Sequence, residues 1–339
     1  MNTVKAETTL YKGKKVISLA CGKYTATIAP FLGSNIIRMQ DTENDIDFFR
    51  NDDEIPVEVL QKSPEVYGFP TLYLPNRLKG GVLKCSDYTY QLPVNDPLGN
   101  HIHGFLHKRE HEIVSYEATD DAAIAKTAFT YDEKDEFFKY FPVSFKAEFT
   151  FTLSEDGMAY EFTMTNLSDR QLPFGVCNHT CIKGPFIEDS KPLDMRLYVP
   201  IGEKWQLDRN CIPTLDFTPL DNHDKQYLTG SMVPVEHNIN NDFYYAAEGD
   251  IDGVPFYGIV ASDIGTGCEI RYEVCKDFKY WIIWNDHGDK GYFCPEPMTW
   301  AIDAPNLPLA AEETGYTELA PGESKTLTEK IYSVGAKEE

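Results

Sequence analysis

The chain has 339 residues, 42% hydrophobic and 13% aromatic, which is ample apolar mass for a large packed core. Against 31 basic residues stand 54 acidic ones, a net charge of −23 that repels phosphate backbones and anionic lipid and so disfavours nucleic-acid and membrane-surface roles. The first residues lack a secretory apolar run, no segment is apolar for long enough to span a bilayer, and the eight cysteines are scattered singly, so a cytoplasmic chain with reduced thiols is expected.

Taken in order, the sequence reads as strands and turns. Segments 16–20 and 24–28 flank Cys21-Gly22-Lys23 as the arms of a short hairpin, and 31–39 reads as a third strand entered through Gly33. Segment 68–81 is irregular, with two prolines, three glycines and Arg77 within it. Alternation returns at 87–92. The clearest hairpin joins 143–153 to 158–165, with apolar residues at every second position in both arms, which predicts one face on a core and one face wet. Further strands are expected at 257–261, 268–274, 279–284 and 326–332. Segment 187–250 breaks the rhythm with Pro, Asp and Asn, and is expected to form long loops over one end of the sheets. No long amphipathic helix, short repeat or low-complexity linker interrupts the pattern. The expectation is an all-β fold, a large antiparallel two-sheet β-sandwich, with residues 1–339 as one domain.

Three stretches carry residues suited to chemistry. In 172–186, strand alternation would put Cys177, His179 and Cys181 on one face, with an imidazole able to exchange protons near neutral pH between two small neighbours. The plain alternative is a core histidine bonded to a carbonyl. Segment 100–111 holds four of the eight histidines. His101 and His103 have the spacing of a strand metal pair, but the next carboxylate, Glu110, comes too late and beyond Gly104. We therefore expect a single hydrogen-bonding histidine, His103, and no metal. Cys177 and Cys181 lack the second cysteine pair of a zinc site. In 291–308, Glu296 sits between Pro295 and Pro297, a rigid setting for a general base or else an exposed carboxylate in a proline-rich loop. Dinucleotide, Walker and nucleophile-elbow motifs are absent, so phosphate-cradling and hydrolase-triad chemistry have no support.

These stretches together resemble the aldose 1-epimerase (galactose mutarotase-like) family nearly end to end. Asn76-Arg77-Leu78-Lys79-Gly80 is similar to its Asn-Arg-(Ile/Leu)-x-x-Gly, and Asn100-His101-Ile102-His103-Gly104 to its Asn-x-Leu-His-Gly. Asn178-His179 resembles its Asn-His, and Glu296-Pro297 with Asp303-Ala304 and Asn306 its Glu-Pro-x-x-x-Pro-Asp-Ala-x-Asn. Leu319-Ala320-Pro321-Gly322-Glu323 is also a habitual feature. The resemblance implies the family's two-sheet β-sandwich, His179 as general acid and Glu296 as general base. It also implies Asn76, Arg77, His103 and Asp242 (in Asn241-Asp242-Phe243) as sugar-binding residues, and a monosaccharide substrate with no metal or other cofactor. Trp281, Trp284 or Trp300 is a candidate flat face for the sugar ring.

The departures mark a divergent branch. One glycine follows His103 where the usual pattern has two, Met298 replaces a common Gln, and the spacing from Glu296 to Asn306 is one longer. The reading is a free-aldose mutarotase. A hexose 6-phosphate 1-epimerase and a non-catalytic carbohydrate-binding protein of the same fold stay open; a glycoside hydrolase lacks a second nominated carboxylate.

Overall fold

The strand arms expected from alternation form as the pattern dictates. In Phe145–Ser154 the side chains of Phe145, Ala147, Phe149, Phe151 and Leu153 are buried while those between are half-exposed. This strand pairs in register with Gly157–Asn166 from Phe145 opposite Asn166 to Ser154 opposite Gly157. The computed structural model describes residues 4–51 and 53–336, and these build three main antiparallel sheets.

The first is an N-terminal meander, Lys5–Tyr11, Lys14–Cys21, Tyr24–Ala29, Asn35–Asp41 and Ile46–Asp47, paired in chain order. The second, here the back sheet, runs Glu112–Ala118, Ala122–Tyr131, Phe145–Ser154, Gly157–Asn166, Ser324–Val334, Glu269–Val274, Gly258–Asp263, Met195–Tyr198. The third, here the front sheet, runs Pro213–Thr218, Ile201–Leu207, Asp242–Ala246, Tyr280–Trp284, Tyr292–Met298, Cys177–Asn178, Thr71–Leu72. A hydrophobic core running from Ile17 to Ile331 fills the space between the sheets. Trp281 of the front sheet meets Tyr272 of the back sheet with ring centroids 6.4 Å apart, which fixes the inner face of each. No helix among the described residues is long and apolar enough to cross a membrane.

Two expectations need correction. Segment 187–250 is not a set of long loops. It supplies Met195–Tyr198 to the back sheet and Ile201–Leu207, Pro213–Thr218 and Asp242–Ala246 to the front sheet, with a short helix at Asp224–Thr229. Register shifts between Ile201 and Lys204 and between Trp205 and Leu207 break the period-two pattern, which is why alternation missed these strands. Nor does 172–186 form one strand. Pairing is confined to Leu172–Pro173, Cys177–Asn178 and Ile182–Lys183, and His179, Thr180 and Cys181 lie between paired pieces.

The Glu296 segment is also no exposed loop. Tyr292–Met298 is a wholly buried interior strand, paired with Tyr280–Trp284 from Cys294 to Met298. On its other side the ladder is interrupted between the Ile182–Phe293 and Cys177–Met298 pairs. Pro295 and Pro297, which donate no hydrogen bond, fall within that interruption. The gap so left is where His179 comes to lie beside Glu296.

Candidate active site

Glu296 pairs across the ladder with Ile282, and Trp281 pairs with Pro297. Directly opposed residues share a face and neighbours alternate, so Glu296 points away from the face on which Trp281 packs. On that outer face lies a cavity of about 480 Å³, lined by Asn76, Arg77, His103, His179 and Glu296 among others. Five of the six nominated site residues therefore converge, from segments up to 220 residues apart.

His179 Nε2 stands 3.2 Å from Glu296 Oε1, and both side chains are nearly inaccessible to solvent. The His179 N–H donates to the Pro70 carbonyl at 3.0 Å, anchoring the backbone that carries the ring. Burial pushes the Glu296 carboxyl up to about 7, with the His179 charge pulling the other way. At His179 burial opposes a charged ring, but Glu296, Cys181 and Glu65 together outweigh it and hold the imidazole up at about 9. Glu296 is thereby raised to neutrality and His179 above it, which leaves a carboxyl that can accept a proton and an imidazolium that can give one near neutral pH.

The cavity wall is assembled by a turn-rich pair of segments. Arg77–Lys79 pairs with Asn100–Ile102, and the His103 N–H donates to the Asn76 carbonyl at 2.9 Å. Both Asn76 (φ +45°) and His103 (φ +65°) are in the left-handed region, which turns the chain out of the ladder at the cavity. The next residue must be glycine: Gly104 has φ +58°, and a Cβ there would stand 1.8 Å from the Tyr73 carbonyl oxygen. His103 ends with its ring centroid 5.4 Å from that of His179. Burial and the neighbouring His179 hold it well below the usual histidine range, so it is a neutral donor or acceptor. His101 goes elsewhere, to the Pro93 carbonyl at 2.8 Å and against Phe137, because the turn at His103 separates the two rings.

Arg77 is held in the wall by Asp96, Nε to Oδ2 at 2.8 Å. Asn100 Nδ2 donates to the same oxygen of Asp96 at 3.2 Å. Asp303 does not line this cavity. Its N–H donates to the Arg77 carbonyl, its Oδ1 accepts from the Lys79 N–H, and Asn306 Nδ2 donates to it, so the Asp-Ala-x-Asn element clamps the Arg77 strand from behind.

Asp242 is the nominated residue that the structure places elsewhere. It pairs with Ile283 and so projects to the opposite face of the front sheet from Glu296. There its Oδ2 accepts from the Tyr227 hydroxyl at 3.1 Å and meets His223 Nε2 at 2.7 Å. Its neighbour Asn241 lines the cavity instead. Of the three candidate tryptophans, Trp281 and Trp300 are core residues, and Trp284 lines the cavity with its ring centroid 5.8 Å from His179.

Sequence reasoning missed Glu65, Asp96, Arg209, Cys211 and Asn240. Glu65 sits under His107 at 3.6 Å; although burial works against its charge, His107 and Lys108 hold the carboxyl down at about 2. Asp96 was within reach, being the one acidic residue in the turn between Thr89–Gln91 and Asn100–Ile102. Asn178, beside His179, turns to the inner face. Its Nδ2 donates to Glu329 Oε1 at 2.6 Å and Oε2 at 2.7 Å, Thr71 Oγ1 donates to its Oδ1, and the Tyr272 hydroxyl also donates to Glu329. Beneath the outer-face pair thus lies a buried polar network that bolts the two sheets together.

Comparison with known proteins agrees with this architecture. A galactose mutarotase-like protein from Clostridium acetobutylicum is 30% identical with a TM-score of 0.95, over 98% of this chain and 99% of that one. The fold is shared at lower identity by a putative aldose 1-epimerase from Escherichia coli K12 (18%, TM-score 0.73, 97% and 100% covered). It is shared too by a galactose 1-epimerase from Lactobacillus acidophilus NCFM (13%, TM-score 0.75, 99% and 100% covered). The sequence model of the family described as aldose 1-epimerase matches residues 15–332. The chain belongs to the aldose 1-epimerase family.

Proposed function

We propose that this protein interconverts the α and β anomers of a free aldose. The observation that carries the reading is the buried His179–Glu296 pair, 3.2 Å apart on the floor of a sugar-sized cavity. Anomer exchange needs one group to take the proton from the anomeric hydroxyl and another to protonate the ring oxygen. The ring opens, the C1–C2 bond rotates, and closure on the other face returns both protons. Glu296 is the base in the opening direction and His179 the acid, and the roles reverse on closure. Neither step demands an electrophilic metal. His103 and Arg77 hold hydroxyls of the sugar, Asn76 fixes the turn that presents them, and Trp284 offers an edge to the ring.

Asp96 is a positioning residue in this scheme, because it fixes the Arg77 guanidinium before substrate arrives. Asp96→Asn removes the charge but keeps an acceptor for Arg77, and at about 0.5–1.5 kcal/mol for one ordinary hydrogen bond it should raise KM roughly threefold to tenfold with little change in kcat. Initial rates over a range of sugar concentrations decide it. An equal fall in kcat would instead tie Asp96 to the chemical step.

One observation favours the sugar-phosphate reading: Arg209 lines the cavity, is exposed, and has no ion-pair partner within 4 Å among the described residues. The charge balance opposes it. Arg77, Arg209 and a protonated His179 face Glu65, Glu296 and Asp96, leaving little net positive charge for a dianion. We expect kcat/KM for glucose or galactose to exceed that for the corresponding 6-phosphate. A marked preference for the phosphate, lost in Arg209→Ala, would transfer the protein to the hexose 6-phosphate epimerases.

A further inference from the structure

Behind the acid–base pair lies a cluster to which that chemistry gives no task. Cys181 follows His179 by two residues, and Cys294 precedes Glu296 by two on the same face of its strand. Cys294 Sγ is 3.5 Å from Cys181 Sγ, and Cys181 Sγ is 3.6 Å from His179 Nδ1. All three atoms lie within 4.8 Å of one another, and all three residues are buried. We propose that His179 Nδ1, Cys181 and Cys294 form a binding site for one soft divalent cation of the Zn²⁺ or Cd²⁺ type, and that its capture switches off the His179 ring.

Two of the three edges already have the length found in a tetrahedral site. With Zn–S near 2.3 Å and Zn–N near 2.0 Å, the edges of a tetrahedron come to about 3.8 Å between sulfurs and about 3.5 Å between sulfur and nitrogen. The donor set, two thiols and an imidazole, is soft and suits zinc or cadmium rather than magnesium or calcium. Glu296 completes the pattern from the other side: it holds the Nε2 of a histidine whose Nδ1 faces the thiols, as outer carboxylates do for metal-bound histidines. Sequence spacing hid the site, because Cys181 finds its partner 113 residues away while Cys177 turns to Glu296 at 3.8 Å. Cys294 Sγ donates to Cys181 Sγ at 3.5 Å and His179 Nδ1 faces the same sulfur at 3.6 Å, so the three donor atoms already converge.

Binding requires both sulfurs as thiolates and a neutral imidazole with Nδ1 free, so whatever protons Cys181, Cys294 and His179 Nδ1 carry are released to solvent. With the ion on Nδ1, the only N–H left on the ring is at Nε2, and its loss would leave a metal-bound imidazolate. That N–H is a far weaker acid than an imidazolium, so the ring can no longer protonate a sugar ring oxygen. This consequence rests on the function proposed above; the binding itself does not.

The test titrates the full, reduced, chelator-stripped chain with Cd²⁺ and follows thiolate-to-cadmium charge-transfer absorption alongside anomer exchange. We expect absorption that saturates at one ion per chain, a parallel loss of anomer exchange, and recovery of both on adding chelator. Cys181→Ser and Cys294→Ser should each weaken Cd²⁺ binding roughly tenfold or more, whereas Cys211→Ser should leave it intact. Circular dichroism establishes that each variant is folded, and Cys294→Ala serves if the serine variant is not. Absence of the saturating absorption, or its persistence in both folded variants at Cys181 and Cys294, overturns the site. Binding without loss of anomer exchange overturns the switch alone. A chain that binds Cd²⁺ as expected but never exchanges anomers overturns the proposed function and leaves the site standing.

Discussion

His179→Asn and Glu296→Gln should each lower kcat for anomer exchange by about 10²–10⁴, the usual worth of a positioned acid or base. Both substitutions remove the titrating proton while keeping shape and some hydrogen-bonding capacity at a contact of 3.2 Å. The fold should survive, because neither residue takes part in the network that joins the sheets. The two groups serve one transition state, so the double variant should lose less than the product of the single effects. Anomer exchange followed by NMR or polarimetry, with the spontaneous rate subtracted, measures all three. Near-normal exchange in a folded His179→Asn chain would deny the pair its catalytic role and overturn the proposed mechanism.

That pair was legible in the sequence for different reasons on its two sides. Glu296 announced itself by flanking prolines, and the structure turns that rigidity into an interrupted ladder in an interior strand. His179 was legible as a histidine in an apolar run, although the run is not a strand. What alternation reads well is a regular ladder, such as Phe145–Ser154, where packing and periodicity agree at each residue. It fails where register shifts, as between Ile201 and Lys204, and it assigns no face to a residue whose neighbours are unread. Asp242 failed in this way. Its strand lay inside a segment taken for loop, so nothing indicated that a carboxylate next to Asn241 would turn to the inner face. The thiol cluster was beyond reach for another reason: Cys181 and Cys294 meet only across a pairing that a single sequence does not display.

Glu329→Gln should change the pH dependence of stability more than any surface substitution. Glu329 is buried on Ser324–Val334 of the back sheet and receives hydrogen bonds from Asn178 and Tyr272. Burial outweighs those donors and pushes its carboxyl up to about 8. In the unfolded chain a glutamate titrates near 4.3. Between these values the folded chain holds a proton that the unfolded chain has lost, so stability falls as pH rises, by about 1.4 kcal/mol per pH unit for one proton. Below the window both states are protonated and above it both are ionised, so the contribution is flat at either end. Glutamine keeps the shape and carries no titrating proton. Relative to the parent, Glu329→Gln should therefore gain stability progressively from about pH 4.5 to about pH 8, by a few kcal/mol in total. Glu329→Ala should lose stability at every pH, because it removes both short hydrogen bonds of the buried Asn178 amide and leaves it only the Tyr272 hydroxyl, at 3.4 Å. Urea unfolding of the three chains at a series of pH values gives the differences directly. If the parent and Glu329→Gln midpoints stay parallel from pH 5 to pH 8, the carboxylate is ionised in the fold throughout, and Asn178 and Tyr272 outweigh the cost of burying it.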